Sequence, residues 1–91
     1  MMKKAVITVV GKDCVGIIAR VCTYLAEHGI NILDISQTIV QDYFNMLMIV
    51  DFGKSEKDFL LVSTELEELG KEIGVIIKAQ REDIFDMMHR I

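Results

Sequence analysis

The side chains best suited to catalysis or metal binding are few and lie far apart in the sequence. Cys14 and Cys22 are eight residues apart, and His28 and His89 each lie beside the end of a predicted helix. A zinc or redox site needs a closer cysteine pair with further ligands, and a cysteine nucleophile needs a base beside it. We therefore expect two free thiols, no metal site, no cofactor and no catalytic activity.

A better candidate for chemistry is the loop Gly-Lys-Asp-Cys-Val-Gly at residues 11–16, between the first predicted strand and the first predicted helix. Its glycines would let a ligand approach the backbone, and the N–H groups at the helix start form a seat for a carboxylate. Asn31, at the start of the second predicted strand, offers an amide donor and acceptor. This mixture suits a small zwitterion such as an amino acid. Glycines in such a turn are also often required for packing alone.

Composition and charge exclude several other classes of protein. The chain has 91 residues, of which 52% are hydrophobic, and this content argues against intrinsic disorder. Ten basic against 14 acidic residues give a net charge of −4, which argues against direct binding to nucleic acid or anionic lipid. The apolar runs at residues 5–10 and 46–50 are too short to span a membrane, and residues 1–4 do not begin a typical signal peptide. We expect a cytoplasmic protein.

The first half of the chain has the pattern of a strand, a helix and a hairpin. Residues 4–10 are rich in β-branched side chains and predict a central strand. A helix follows, with Asp13 as its N-cap and Gly29 as the left-handed residue that ends it. The apolar positions of this helix are Val15, Ile18, Val21, Cys22 and Leu25. Residues 30–40 and 44–52 then predict an antiparallel hairpin.

The second half has the pattern of a helix, a strand and a short C-terminal helix. Ser55 matches an N-cap followed three residues later by an acid. The apolar stripe of this helix consists of Phe59, Val62, Leu66, Leu69 and Ile73. Residues 56–72 contain six acids and two lysines, which indicates a solvated outer face. Residues 75–80 predict a fourth strand, and residues 82–91 predict an amphipathic helix.

This order of elements predicts an α+β, ferredoxin-like βαββαβ sandwich. Right-handed crossovers place both main helices on one face of a four-stranded antiparallel sheet, with the strands in the order second, third, first, fourth. Met46, Met48 and Val50 are expected to face the helices. The other face would then carry an apolar patch of Val6, Val10, Leu47, Ile49 and Ile76. We expect a homodimer that covers this patch, the C-terminal helix, or both, whereas fully buried strands are the competing explanation.

Two stretches of the chain resemble a known family. They are VVGKDCVGIIA at residues 9–19 and LAEHGINILDISQ at residues 25–37, and together with the element order they resemble an ACT domain as far as about residue 79. The chain is especially similar to the small stand-alone UPF0237 proteins and to the repeats of the glycine cleavage system transcriptional repressor. The resemblance implies one ACT domain over residues 1–91, with a core at about 4–79 and a C-terminal helix at about 82–91.

The resemblance also implies a site and a function. ACT domains bind amino acids or other small effectors at a subunit interface, through the first loop of one chain and the start of the second strand of its partner. The site residues implied here are Gly11, Asp13, Cys14, Val15, Gly16, Asn31, Ile32 and Leu33. Many relatives have Arg-Pro where this chain has Cys14-Val15, so its loop lacks that cation and is less rigid.

The function implied is that of a non-enzymatic regulatory module that senses an amino acid at a homodimer interface. A separate regulatory protein is a further candidate partner. The alternative is a dimerisation or protein-interaction module that has kept the fold without a ligand.

Overall fold

The computed structural model describes residues 3–12 and 16–82, and it contains six elements in the predicted order. The elements are β1 (Lys4–Lys12), α1 (Ile17–Glu27), β2 (Asn31–Val40), β3 (Tyr43–Asp51), α2 (Phe59–Ile73) and β4 (Ile76–Arg81). The strands form one antiparallel sheet in the order β2-β3-β1-β4. This confirms the ferredoxin-like fold. The helix predicted for residues 82–91 lies, apart from Glu82, outside the described residues.

The core lies between the helices and one face of the sheet. Side chains alternate across a strand, so Ala5, Ile7 and Val9 of β1 share the core-facing side. On β3, Met46, Met48 and Val50 are all at most 1% exposed, which confirms the face predicted for them. Helix α1 contributes three side chains to the core and α2 contributes two. These are Ile17, Val21, Leu25, Val62 and Leu66.

Helix α1 begins later than predicted. Its N-cap is Gly16, in the left-handed conformation with φ 91°, and not Asp13. The buried residues Ile17, Val21 and Leu25 are spaced by four, whereas Ile18 is 38% exposed. The predicted apolar stripe was therefore wrong at Ile18. The helix starts at Ile17, and Ile17 instead of Ile18 is buried against the core.

Helix α1 ends as predicted. Gly29 has φ 71°, its N–H donates to the Ala26 carbonyl at 3.3 Å, and the Ile30 N–H donates to the Leu25 carbonyl at 2.9 Å. This pair of hydrogen bonds is a Schellman motif, and Leu25 and Ile30 make its apolar contact as buried residues. The motif fixes the direction in which the chain enters β2.

Helix α2 is capped by a different residue from the one predicted. The Asp58 carboxylate accepts the Leu61 N–H at 2.9 Å, so the helix begins at Phe59. Ser55 accepts the N–H of Lys57 at 3.2 Å and forms a turn ahead of the helix. The predicted cap was wrong because Ser55 and Asp58 both carry a hydrogen-bond acceptor. Asp58, which lies next to the apolar stripe, is the one that accepts an N–H of the first helical turn. The stripe is confirmed, with Val62 and Leu66 buried.

The face of the sheet away from the helices is less exposed than predicted. Val10, Leu47 and Ile49 are half-buried, and Ile76 is 61% exposed. Val6, however, is only 5% exposed. The exposed apolar patch predicted for this face is therefore wrong at Val6.

Candidate functional site

The first loop leads to a helix start whose backbone donors are open. Gly16 lies at the N-cap of α1, and no side chain of the described residues caps this end. The Arg20 N–H donates to the Gly16 carbonyl at 2.9 Å, which leaves the preceding N–H groups of the first turn without a partner in the helix. Such donors, with the positive end of the helix dipole, favour a carboxylate. The loop residues Asp13, Cys14 and Val15 lie outside the described residues.

The two glycines of this loop have different roles. A Cβ at Gly11 would lie 2.6 Å from Cγ1 of Val75, so glycine is required there for packing. A Cβ at Gly16 would meet no atom of the described residues within 4 Å, although its φ of 91° favours glycine. Among the described residues, none therefore fills the space above Gly16, whereas Val75 fills the space above Gly11.

The second half of the expected site begins β2. Asn31 pairs with Asp51 and Ile32 with Val50, and an irregularity between Ile32 and Asp34 leaves Leu33 without a pairing position. Asn31 is exposed, Ile32 is half-buried and Leu33 is 40% exposed. A bulge of this kind redirects side chains at a sheet edge. The strand pattern of the sequence contained no signal for it.

The two halves of the expected site lie at opposite ends of the sheet. Lys12 pairs with Tyr43 at one end of β3, and Asn31 pairs with Asp51 at the other. From Tyr43 to Asp51 the strand advances by eight residues. At about 3.4 Å per residue, this advance corresponds to roughly 27 Å. Within one chain, the structure does not bring the first loop and the start of β2 together.

The end of the sheet near Asn31 carries an ionised carboxylate. The Asp51 Oδ1 atom accepts the N–H of Gly53 at 2.9 Å and the N–H of Lys3 at 3.1 Å. These two hydrogen bonds hold the pKa of the Asp51 carboxyl below its usual value, because they stabilise the charged form. Asn31 therefore pairs with a residue that stays negatively charged at neutral pH.

A polar network holds the end of α1 against α2. The Tyr24 hydroxyl donates to Glu65 Oε1 at 2.6 Å, and Lys57 Nζ donates to the same carboxylate at 2.8 Å and 3.0 Å. The hydrogen bond from Lys57, followed by that from Tyr24, lowers the pKa of Glu65. Partial burial, followed by the Glu65 hydrogen bond, raises the pKa of Tyr24. The Tyr24 ring lies 4.5 Å from the ring of His28, the C-cap of α1, so the network supports the turn into β2.

Strand β2 is an exposed edge with an apolar composition. It has ten residues, none of them buried, and within the described residues nothing pairs with its outer side. Four of its exposed side chains are large and apolar: Leu33, Ile35, Ile39 and Val40. The other edge strand, β4, has only six residues and includes Lys78 and Arg81, which are typical of a protected edge. Edge β2 is therefore the surface best suited to association.

Neither a metal centre nor a membrane span is found in the described part of the chain. Residues 3–12 and 16–82 contain no group of three or more His, Cys, Asp or Glu side chains placed to hold a metal ion. Within the same ranges, no helix is long and apolar enough to cross a membrane. Cys22 is a half-buried free thiol, and Cys14 lies outside the described residues.

The fold is that of an ACT domain. The family model for the ACT domain matches residues 3–80, and the chain belongs to this family. A UPF0237 protein of Bifidobacterium longum is 63% identical over 90 residues, which are 99% of this chain and 100% of that protein. The chain thus has relatives among the UPF0237 proteins that match it from end to end.

Solved structures agree with this assignment. An ACT domain protein from Streptococcus pneumoniae is 43% identical and has a TM-score of 0.83, over 94% of this chain and 97% of that one. A structure described as a glycine cleavage system transcriptional repressor is 31% identical with a TM-score of 0.77, over 89% of this chain and 46% of that one. ACT domains are generally regulatory modules that bind small ligands, and they commonly dimerise. Membership points to a regulatory role for this chain, not a catalytic one.

Proposed function

We propose that this chain is a non-enzymatic regulatory module that binds an amino acid between two copies of itself. The observation that carries the proposal is the position of the two half-sites at opposite ends of one sheet. A ligand of amino-acid size cannot bridge roughly 27 Å of strand. The loop of one copy can contact the same ligand as Asn31 only if Asn31 belongs to another copy.

Pairing of two β2 edges would bring the half-sites together. Val40, at the end of β2, pairs with Tyr43, which in turn pairs with Lys12 next to the first loop. If two β2 strands pair antiparallel about a twofold axis, the start of one strand lies beside the end of the other. Asn31 of one copy then lies at the first-loop end of its partner. The same pairing would cover the exposed apolar side chains of β2.

The chemistry of the two half-sites fits the two charged ends of an amino acid. The open N–H groups of α1 favour the carboxylate, since they act there together with the helix dipole. The side-chain oxygen of Asn31 can accept a hydrogen bond from the ammonium group, and the ionised Asp51 beside it favours a positive charge. In place of the Arg-Pro pair of many relatives, backbone N–H groups would carry the carboxylate contact.

The alternative is a ligand-free dimerisation module, and one observation favours it. Gly11 is explained by packing against Val75, and the backbone conformation of Gly16 alone favours glycine. Neither glycine therefore requires a ligand. Edge β2 would serve association equally well in such a module.

Thermal unfolding in the presence of each amino acid separates the two functions. A ligand present at 100 times its Kd should stabilise the protein by about 2.7 kcal/mol, which raises the midpoint by several degrees. Asn31→Ala should abolish this shift, whereas Asn45→Ala, a matched change at another exposed asparagine, should retain it. A dimer in light scattering whose midpoint responds to no amino acid would establish the ligand-free module instead.

A further inference from the structure

A second cleft lies at the end of the sheet where β1 begins and β4 finishes. Its volume is about 620 Å³, and its walls come from the start of β1, the end of β4 and the connection between β3 and α2. Pockets for small organic ligands have volumes of roughly 300 to 1,000 Å³. The described wall residues all belong to one chain, and none of them comes from the first loop.

Part of the cleft wall is aromatic. The rings of Phe52 and Phe59 lie 5.1 Å apart between centroids with an interplanar angle of 47°, and both residues are half-buried. Tilted aromatic pairs can take a third ring in an edge-to-face or offset contact. The cleft therefore offers a surface for a flat apolar group.

Two of the charged residues in the wall already have partners. Lys57 donates twice to Glu65, at 2.8 Å and 3.0 Å, and the Asp58 carboxylate caps α2. Their charges are engaged inside the protein. The charges that face a ligand must come from the other residues of the wall.

Other charged residues of the wall have both signs. Lys3 and Lys4 belong to the β1 side, Glu56 belongs to the connection before α2, and Glu82 lies at the end of β4. A simple anion would approach Glu56 and Glu82 unfavourably, and a simple cation would be repelled by the lysines. A zwitterion can pair with both signs at once.

We propose that this cleft binds a zwitterion with an aromatic side chain, of about the size of a dipeptide. The ring would pack on Phe52 and Phe59, the carboxylate would pair with Lys3 and Lys4, and the ammonium with Glu56. A free aromatic amino acid and a short peptide with an N-terminal aromatic residue share this chemistry. The volume favours the peptide.

The test is a titration of the full chain followed by the backbone amide signals in NMR. The dipeptide Phe-Gly should shift the amides of Gly53, Ser55 and Lys57 saturably. Phenylpropionate lacks the ammonium group, phenethylamine lacks the carboxylate, and Gly-Gly lacks the aromatic ring. Each should bind at least about tenfold more weakly than Phe-Gly. Free phenylalanine distinguishes the two kinds of ligand. An affinity equal to that of Phe-Gly would identify the ligand as a free amino acid, and weaker binding would identify it as a peptide.

Two variants and a control locate the binding. Lys4→Gln and Glu56→Gln should each weaken Phe-Gly about tenfold or more, whereas Lys78→Gln, an exposed change on β4 outside the cleft, should not. Equal binding of phenylpropionate, or no saturable shift below about 10 mM Phe-Gly, would overturn the proposal. Shifts confined to residues 16–20 and 31–33 would report the site between copies instead, so the two proposals can fail independently.

Discussion

Gly11 and Gly16 lie at the two ends of the same loop, and glycine is favoured at each for a different physical reason. Gly11→Ala inserts a methyl group 2.6 Å from Val75 Cγ1, and such overpacking typically costs about 1–3 kcal/mol. Gly16→Ala meets no atom of residues 3–12 and 16–82 within 4 Å and should cost about 1–2 kcal/mol through its left-handed backbone alone. Urea unfolding measures both losses.

Gly16→Asn is the control for this explanation, because asparagine tolerates the left-handed region better than alanine does. It should recover part of the stability that Gly16→Ala loses. An asparagine variant no more stable than the alanine variant would contradict a conformational role for Gly16.

Tyr24 and Glu65 should make the stability of the fold depend on pH at both extremes. The raised pKa of Tyr24 contributes stability that is complete below the ordinary value of 10.0 and is lost as the pH rises further. The lowered pKa of Glu65 contributes stability that is complete above the ordinary value of 4.5 and is lost as the pH falls. Unfolding free energies across the pH range should therefore decline at both ends.

The variant Tyr24→Phe isolates the alkaline part of this dependence. It should reduce the decline of the unfolding free energy above pH 10, since no phenol then ionises at this position on unfolding. Tyr43→Phe is the matched change at a ring that is 51% exposed. A Tyr24→Phe profile identical to that of the unmodified protein would show that the hydrogen bond to Glu65 does not stabilise the fold.

At the scale of elements, the start of α2 depends on Asp58. Asp58→Ala removes the acceptor for the Leu61 N–H and should cost about 1 kcal/mol. Ser55→Ala should cost less, because Ser55 only closes a turn onto Lys57. Thermal or urea unfolding distinguishes the two, and a larger loss at Ser55 would restore it as the helix cap.

The sequence predicted the elements better than their ends. Alternation along β3 and the spacing of apolar residues in α2 are periodic signals, so Met46, Met48 and Leu66 were placed correctly. Helix starts follow no such period: α1 begins after Gly16, which has no side chain to act as a cap, and α2 is capped by Asp58 instead of Ser55. The sequence predicted association through the open face of the sheet and not through β2. The exposure of β2 could not be predicted, because it depends on how far the helices reach across the sheet.

At the scale of the whole molecule, edge β2 should control association. Ile35→Lys and Ile39→Lys place charges among the exposed apolar side chains of the edge, and each should shift a dimer toward monomer. Leu60→Lys is the matched control, since Leu60 is 75% exposed on α2. Light scattering after gel filtration measures the mass. Dimers that persist in both β2 variants would place the interface elsewhere.

A mixture of two defective variants tests whether each binding site is shared between copies. Asn31→Ala removes the contact from β2, and Gly16→Asp places a carboxylate over the open N–H groups of α1, where it repels that of the ligand. Neither variant alone should bind the amino acid. In a twofold dimer, each mixed pair contains one intact and one doubly defective site.

Random exchange of subunits makes about half of the dimers mixed, so calorimetry should recover about a quarter of the original binding capacity. The recovered sites should have the affinity of the unmodified protein, because the loop and the strand of each intact site are unchanged. Unmixed variants at the same total concentration provide the baseline. Exchange of subunits without any recovered binding would mean that the two half-sites do not meet across the dimer, which would remove the basis for an amino-acid site between copies.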